Sequence, residues 1–254
     1  MTSQVPVANL IGMFFSLFVA VGLPIALFIL LKVKTKAKVS SVFIGAATFV
    51  LFALILEQIL HVIVLRNTAI MENIWLYALY GGLAAGLFEE TGRYLAMKFV
   101  MKKNLDKQNA LMYGVGHGGI EAILLVGLSQ LSNITTSIMI NSGQGESLFA
   151  ALDENTMANV AQLWKLPAYQ FYMAGVERVT AIFLHIVLSY LVYRAVKEQK
   201  MKFYFVALAL HFFVDAVVVA ISSFLPIVAI EAILVIAVAA MVFVVYRMDK
   251  KTVV

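Results

Sequence analysis

The chain has 254 residues, of which 63% are hydrophobic and 13% charged. Soluble domains are about half apolar and about a quarter charged, so this composition, with a mean hydropathy of +0.95, excludes an ordinary soluble protein. The absence of cysteine excludes disulfides, thiolate metal sites and cysteine nucleophiles, and the net charge of +5 needs no nucleic-acid partner if the cations sort to one side of a membrane.

Crossing about 30 Å of hydrocarbon takes about 20 helical residues. Runs of that kind fall at residues 8–31, 41–65, 74–97, 109–131, 168–193, 203–224 and 226–246. They predict an all-α polytopic membrane protein of about seven spans, with residues 1–254 forming one transmembrane helical domain. The first run lacks a cationic start and a small-residue cleavage site and ends in lysines, so it reads as a retained helix rather than a signal peptide. Four connections carry cation clusters: Lys32 to Lys38, Lys98 to Lys107, Arg194 to Lys202 and Arg247 to Lys251. They are alternate connections and hold fifteen of the nineteen Lys and Arg residues. The positive-inside rule therefore places them in the cytoplasm, with the N-terminus outside and the C-terminus inside. The outer connection at 132–167 is long, polar and mildly acidic, with Glu146, Asp153 and Glu154, and reads as a loop.

Inside the spans lie Glu57 and His61; Glu89, Glu90 and Arg93; His117 and Glu121; Glu177, Arg178 and His185; His211 and Asp215; and Glu231. Ionisable groups are costly at the bilayer centre, so each marks a functional or a helix-binding position. Depth sorts them. Glu89 is nine residues from Lys98, His117 ten from Lys107, His185 nine from Arg194 and His211 nine from Lys202. At 1.5 Å per residue all four lie about 13–15 Å from the cytoplasmic face. One carboxylate and three of the four histidines thus share a level. Glu89 and Arg93, His117 and Glu121, and His211 and Asp215 are each four apart and share a helix face.

Glu57, His61, Glu177, Arg178 and Glu231 form a group nearer the outer face, where Arg178 has Glu57 or Glu177 to neutralise it. The spacing of Ala78, Gly82 and Gly86 suits close approach of a helix or of an extended substrate. Gly114, Gly116, Gly118 and Gly119 surround His117 and weaken that helix locally.

A carboxylate facing imidazoles in a dry layer suits hydrolysis without a covalent intermediate. Glu89 or Glu90 takes a proton from water, while the histidines hold a zinc ion or hydrogen-bond the oxyanion. A serine triad fits worse: Ser189 lies one turn from His185, but without a nucleophile elbow, and there is no HExxH motif. The competing class is an ion- or proton-coupled transporter built on the same Glu, His and Asp residues. A retinal protein is excluded by the lack of lysine in 226–246.

Glu89-Glu90-Thr91-Gly92-Arg93, Gly116-His117-Gly118-Gly119-Ile120-Glu121-Ala122, Glu177-Arg178 with His185, and His211 with Asp215 together resemble the YhfC family of intramembrane metalloproteases. That family is similar to the type II CAAX prenyl endopeptidases and bacteriocin-processing proteins, whose pattern is a paired glutamate with a following arginine, an aromatic-xxx-His and a His-xxx-Asn/Asp. The resemblance covers about residues 57–216. It implies a protease of the bacterial plasma membrane acting on a membrane-associated or transmembrane peptide or protein substrate, and it leaves open whether a metal, with zinc the candidate, is bound. It places Glu89 as general base with Glu90 and Arg93 beside it, Tyr113-xxx-His117 in the aromatic-His position and His211-xxx-Asp215 in the last. If a metal is bound, His117, His185 and His211 are the candidate ligands, with His185 either the third ligand or the partner of His117. Arg93 is three residues after Glu90 where the larger group has four, which leaves open which glutamate faces the water. His185 is an imidazole beyond the simplest pattern.

Overall fold

A computed structural model describes residues 4–150 and 152–252, and among them the chain is helical with no strand. In order the helices are α1 (Val7–Lys34), α2 (Val39–Leu51), α3 (Gln58–Val64), α4 (Thr68–Glu72), α5 (Ile74–Leu95), α6 (Lys107–Glu121), α7 (Leu128–Met139), α8 (Gly145–Phe149), α9 (Glu154–Lys165), α10 (Ala168–Lys197), α11 (Lys202–Ile221) and α12 (Ile227–Thr252). Four π-helical turns interrupt or extend them: Phe52–Glu57, Ala96–Val100, Ala122–Gly127 and Ile140–Gln144.

Among the described residues six helices are long and apolar enough to cross a membrane: Val7–Lys34, Val39–Val64, Lys107–Gln144, Ala168–Lys197, Lys202–Ile221 and Ile227–Lys250. The expected third span, α5, has the length at 22 residues but carries Glu89, Glu90 and Arg93 near its end, and that charge keeps it out of the six. Asn73 fixes where α5 starts, accepting from the backbone N–H of Trp75 and Leu76 at 3.0 and 3.2 Å. Asp106 does the same for α6 by accepting from Asn109 N at 2.8 Å.

The outer loop expected at 132–167 is corrected by the structure, which folds most of it as helix. α7 runs to Met139 and α9 occupies Glu154–Lys165. The apolar pattern fades where polar residues enter α7, but Thr135 and Ser137 donate to the carbonyls of Leu131 and Asn133 at 2.9 and 2.7 Å, so the helix absorbs them. Asp153 caps α9, accepting from Thr156 N at 2.9 Å and from the Thr156 hydroxyl at 2.7 Å. These bonds hold its carboxyl below the usual aspartate range.

The chain divides into two compact units, residues 1–23 with 122–179 and residues 24–121 with 180–254. The first has a core of Val5, Met13, Ile134, Ile140, Leu163 and Phe171. Asn9 ties its N-terminal helix to the end of α9 by donating to the carbonyls of Leu163 and Leu166 at 2.8 and 2.9 Å. The second unit pairs α2 with α6 and α5 with α11. Its core includes Met97, Met101, Tyr113, Leu188, Val192 and Ala207.

Candidate active site

The second unit brings α5, α6, α10 and α11 close enough for short side chains to meet, and glycines set that closeness. A Cβ on Gly116 would stand 1.9 Å from the carbonyl oxygen of Val42, and one on Gly45 would stand 2.1 Å from that of Tyr113, so α2 and α6 cross almost backbone to backbone. Gly114 and Gly118 admit α10 in the same way, with Ile186 Cα at 2.8 Å and His185 Cβ at 3.1 Å. Gly82 and Gly86 admit α11, with the carbonyls of Phe212 and Leu208 at 2.7 and 3.2 Å. The small-residue stripe of α5 therefore receives a helix, and the glycines around His117 receive neighbouring backbones.

Into this space α5 projects Glu89, Glu90 and Arg93, α6 projects His117, α10 projects His185 and α11 projects His211; all six are buried. Glu89 Oε2 lies 2.8 Å from His117 Nε2 and 3.9 Å from His185 Nδ1. Glu90 is fully enclosed. One of its oxygens pairs with Arg93 Nε at 3.0 Å and the other faces His211 Nδ1 at 2.9 Å. The second nitrogen of His211, Nε2, lies 3.4 Å from Asp215, whose side chain is 36% exposed against 9% for Glu89 and none for Glu90.

Arg93 organises the α10 side. Its guanidinium donates to His185 Nδ1 at 3.0 Å, to the His185 carbonyl at 2.9 Å and to Ser189 Oγ at 2.5 Å, while Ser189 in turn donates to the His185 carbonyl at 2.7 Å. With Nδ1 accepting from Arg93, the hydrogen of His185 sits on Nε2, which lies 2.5 Å from Glu121. Tyr113 packs under both centres, 5.9 Å from the His117 ring and 5.9 Å from the Arg93 guanidinium carbon. The imidazoles of His117, His185 and His211 follow one another at centroid separations of 4.8 and 5.4 Å.

Glu89, His117, His185 and His211, read from depth as one layer, thus come together with Glu90, Arg93 and Asp215. The expected trio of His117, His185 and His211 stands together in the layer, with rings 4.8 and 5.4 Å apart in succession. The ligand atoms that lie within 4.8 Å of one another belong to Glu89, His185 and His211, because His117 turns its Nε2 onto Glu89. Glu121, expected as the partner of His117, bonds His185. Ser189 supports Arg93 and His185, so the serine nearest the site is a scaffold residue. Neither cross-helix pairing has a signal in linear spacing. In the outer group Glu57 meets His61 at 3.3 Å, and His61 Nδ1 meets the Tyr80 hydroxyl at 2.7 Å. Arg178 pairs with its neighbour Glu177, and Glu231 is buried.

Two imidazoles and a carboxylate are one of the three-residue sets that catalytic zinc sites use. The donors Glu89, His185 and His211 fit a divalent ion in chemistry and in closeness. Such an ion would replace one of the two hydrogen bonds that His185 now makes, to Arg93 or to Glu121. Glu90, Asp215 and Glu121 supply the carboxylate partners that keep ligating imidazoles in place.

The model of the YhfC intramembrane metalloprotease family matches residues 17–240. The chain is 42% identical over 200 residues to an uncharacterized membrane protein YhfC of Bacillus subtilis (strain 168), an alignment covering 76% of this chain and 77% of that protein. No solved structure matches.

Proposed function

Since this chain belongs to the YhfC intramembrane metalloprotease family, we propose that it is an integral membrane endopeptidase that hydrolyses a peptide bond in or near the bilayer at the layer of Glu89, His117, His185 and His211. The observation that carries the reading is the convergence of Glu89, His185 and His211 from three helices, with ligand atoms within 4.8 Å in a buried layer. By the positive-inside pattern the layer lies in the cytoplasmic half of the membrane. The substrate segment must be extended there, since a helix occupies its own carbonyls.

His185 and His211 would hold a zinc ion, and the Glu89 carboxylate, the third donor within reach, would act on the water beside the ion instead of ligating it. A bound zinc supplies Lewis acidity, making water acidic and polarising the scissile carbonyl. Glu89 takes the proton of the attacking water as oxygen adds to the carbonyl carbon, and returns it to the nitrogen as the C–N bond breaks. His117 holds Glu89 in place at 2.8 Å. Glu90 is a positioning residue rather than the base, because it is enclosed and engaged by Arg93 and His211. Whichever nitrogen of His211 faces the reaction, a carboxylate steadies the other: Glu90 on Nδ1 or Asp215 on Nε2.

The test is metal content by mass spectrometry on detergent-purified protein, joined to terminal-peptide profiling of membranes from cells making each form. Near-stoichiometric zinc in the wild type, lost in His185→Ala and His211→Ala but kept in Glu89→Gln, is expected. New peptide termini should appear with the wild type and with none of the three variants. Equal termini from wild type and Glu89→Gln would overturn the proposal.

A further inference from the structure

Between α10, α11 and α12 lies an apolar cavity of about 610 Å³ whose lining includes Leu191, Phe203, Val206, Ala240, Val244 and Met248. It shares Leu210, Ala237 and Met241 with a smaller space of about 200 Å³ further along α11 and α12. The larger volume falls within the roughly 300–1,000 Å³ of small-ligand sites, and its wall contains no polar side chain.

The mouth distinguishes it from other lipid-facing surface. Phe203, in the wall, has two cations over its ring, Arg194 at 4.3 Å and Lys202 at 5.3 Å. On α12, Arg247 and Lys250 stand one before and two after the lining residue Met248, with Arg247 over the Phe243 ring at 5.9 Å and Lys250 over the Tyr246 ring at 4.8 Å. Arg194 is paired with Glu198, and the nearby carboxylate of Asp249 is taken by Lys107 at 2.7 Å and by the Tyr190 hydroxyl at 3.3 Å. Lys202, Arg247 and Lys250 have no carboxylate partner among the described residues. The Lys107–Asp249–Tyr190 contacts also tie the end of α12 to α6 and α10.

An apolar wall under a cationic lip is complementary to an amphiphile with an acyl chain and an anionic headgroup. We infer that this groove binds one anionic membrane phospholipid, with an acyl chain against Leu191, Val206 and Val244 and the phosphate at Lys202 and Arg247. The cation pattern of the chain places the mouth at the cytoplasmic leaflet, where each basic residue near an anionic surface strengthens binding about fivefold.

The experiment is native mass spectrometry of the detergent-purified full chain titrated with phosphatidylglycerol or with phosphatidylcholine of the same acyl chains. One phosphatidylglycerol should be held at least about fivefold more tightly than phosphatidylcholine, and Lys202→Gln should remove about fivefold of that preference. Ala240→Trp, which fills the cavity from an exposed face of α12, should abolish the tight site. Val206→Trp does so from α11, and an unfolding midpoint equal to wild type in either variant separates filling from misfolding. Glycerophosphoglycerol, the headgroup without chains, should not compete. Equal retention of both lipids by wild type, undiminished phosphatidylglycerol binding by a folded filling variant, or competition by the headgroup alone would each overturn the inference.

Discussion

Glu89 and Glu90 are neighbours in sequence with opposite surroundings, and that difference is testable by one substitution in each. Glu90 is enclosed and answers both Arg93 and His211, whereas Glu89 meets His117 and keeps some exposure. Glu89→Gln is expected to lower peptide hydrolysis at least about hundredfold with an unchanged unfolding midpoint. Glu90→Gln leaves the Arg93 charge buried without its partner and is expected to cost about 3–5 kcal/mol of stability, read by thermal unfolding in detergent. A stable, inactive Glu90→Gln beside an active Glu89→Gln would exchange the two roles. Depth along the helices made the layer of Glu89, His117, His185 and His211 legible, because distance from a lysine cluster is a linear quantity. The wiring of the layer was not. Spacing by four joined His117 to Glu121 and Arg93 to Glu89, but the structure joins Glu121 to His185 on the facing helix α10 and Arg93 to Glu90 three residues before it on α5, since the choice among near partners is set by how the helices pack. Only His211 with Asp215 meets at i and i+4 as spacing suggests, at 3.4 Å.

At the scale of the element, close crossings decide where the side chains of the candidate site stand. The carbonyl of Val42 leaves no room for a methyl on Gly116, while Gly81, one residue before the contact glycine Gly82, has nothing within 4 Å. Gly116→Ala is therefore expected to destabilise the protein by about 1–3 kcal/mol and to reduce the proposed zinc content as α6 shifts against α10, which carries His185. Gly81→Ala should leave both unchanged or gain slightly from helix propensity, about 1 kcal/mol at most. Thermal unfolding and metal analysis of the pair check this contrast, and equal midpoints would contradict it. The helices themselves were readable from hydropathy because a span must be long and apolar. α7 overran its apolar stretch because hydroxyls that bond their own backbone cost the helix little, a saving that a hydropathy profile cannot register.

For the whole molecule, the uneven distribution of cations predicts a fixed orientation, and a cysteine-free chain is a ready background for testing it. With Lys102→Cys and Asn155→Cys made singly, a membrane-impermeant thiol reagent on intact cells should label Asn155→Cys alone, and Lys102→Cys only after permeabilisation. The reverse pattern would invert the topology and move the active layer to the outer half. One feature of α5 bears on how such a molecule is made. This helix carries Glu89, Glu90 and Arg93 and is not among the six that are apolar enough to cross on their own; Glu90 and Arg93 pair within it, but the histidines that its charges meet, His117, His185 and His211, lie on helices synthesised after it. A segment of this composition is expected to enter lipid less readily alone than with the later helices present, so a chain truncated before α10 should hold α5 in the membrane less well than the full chain. The residues proposed for the chemistry are in this way also the ones whose partners come last, from the C-terminal third of the chain.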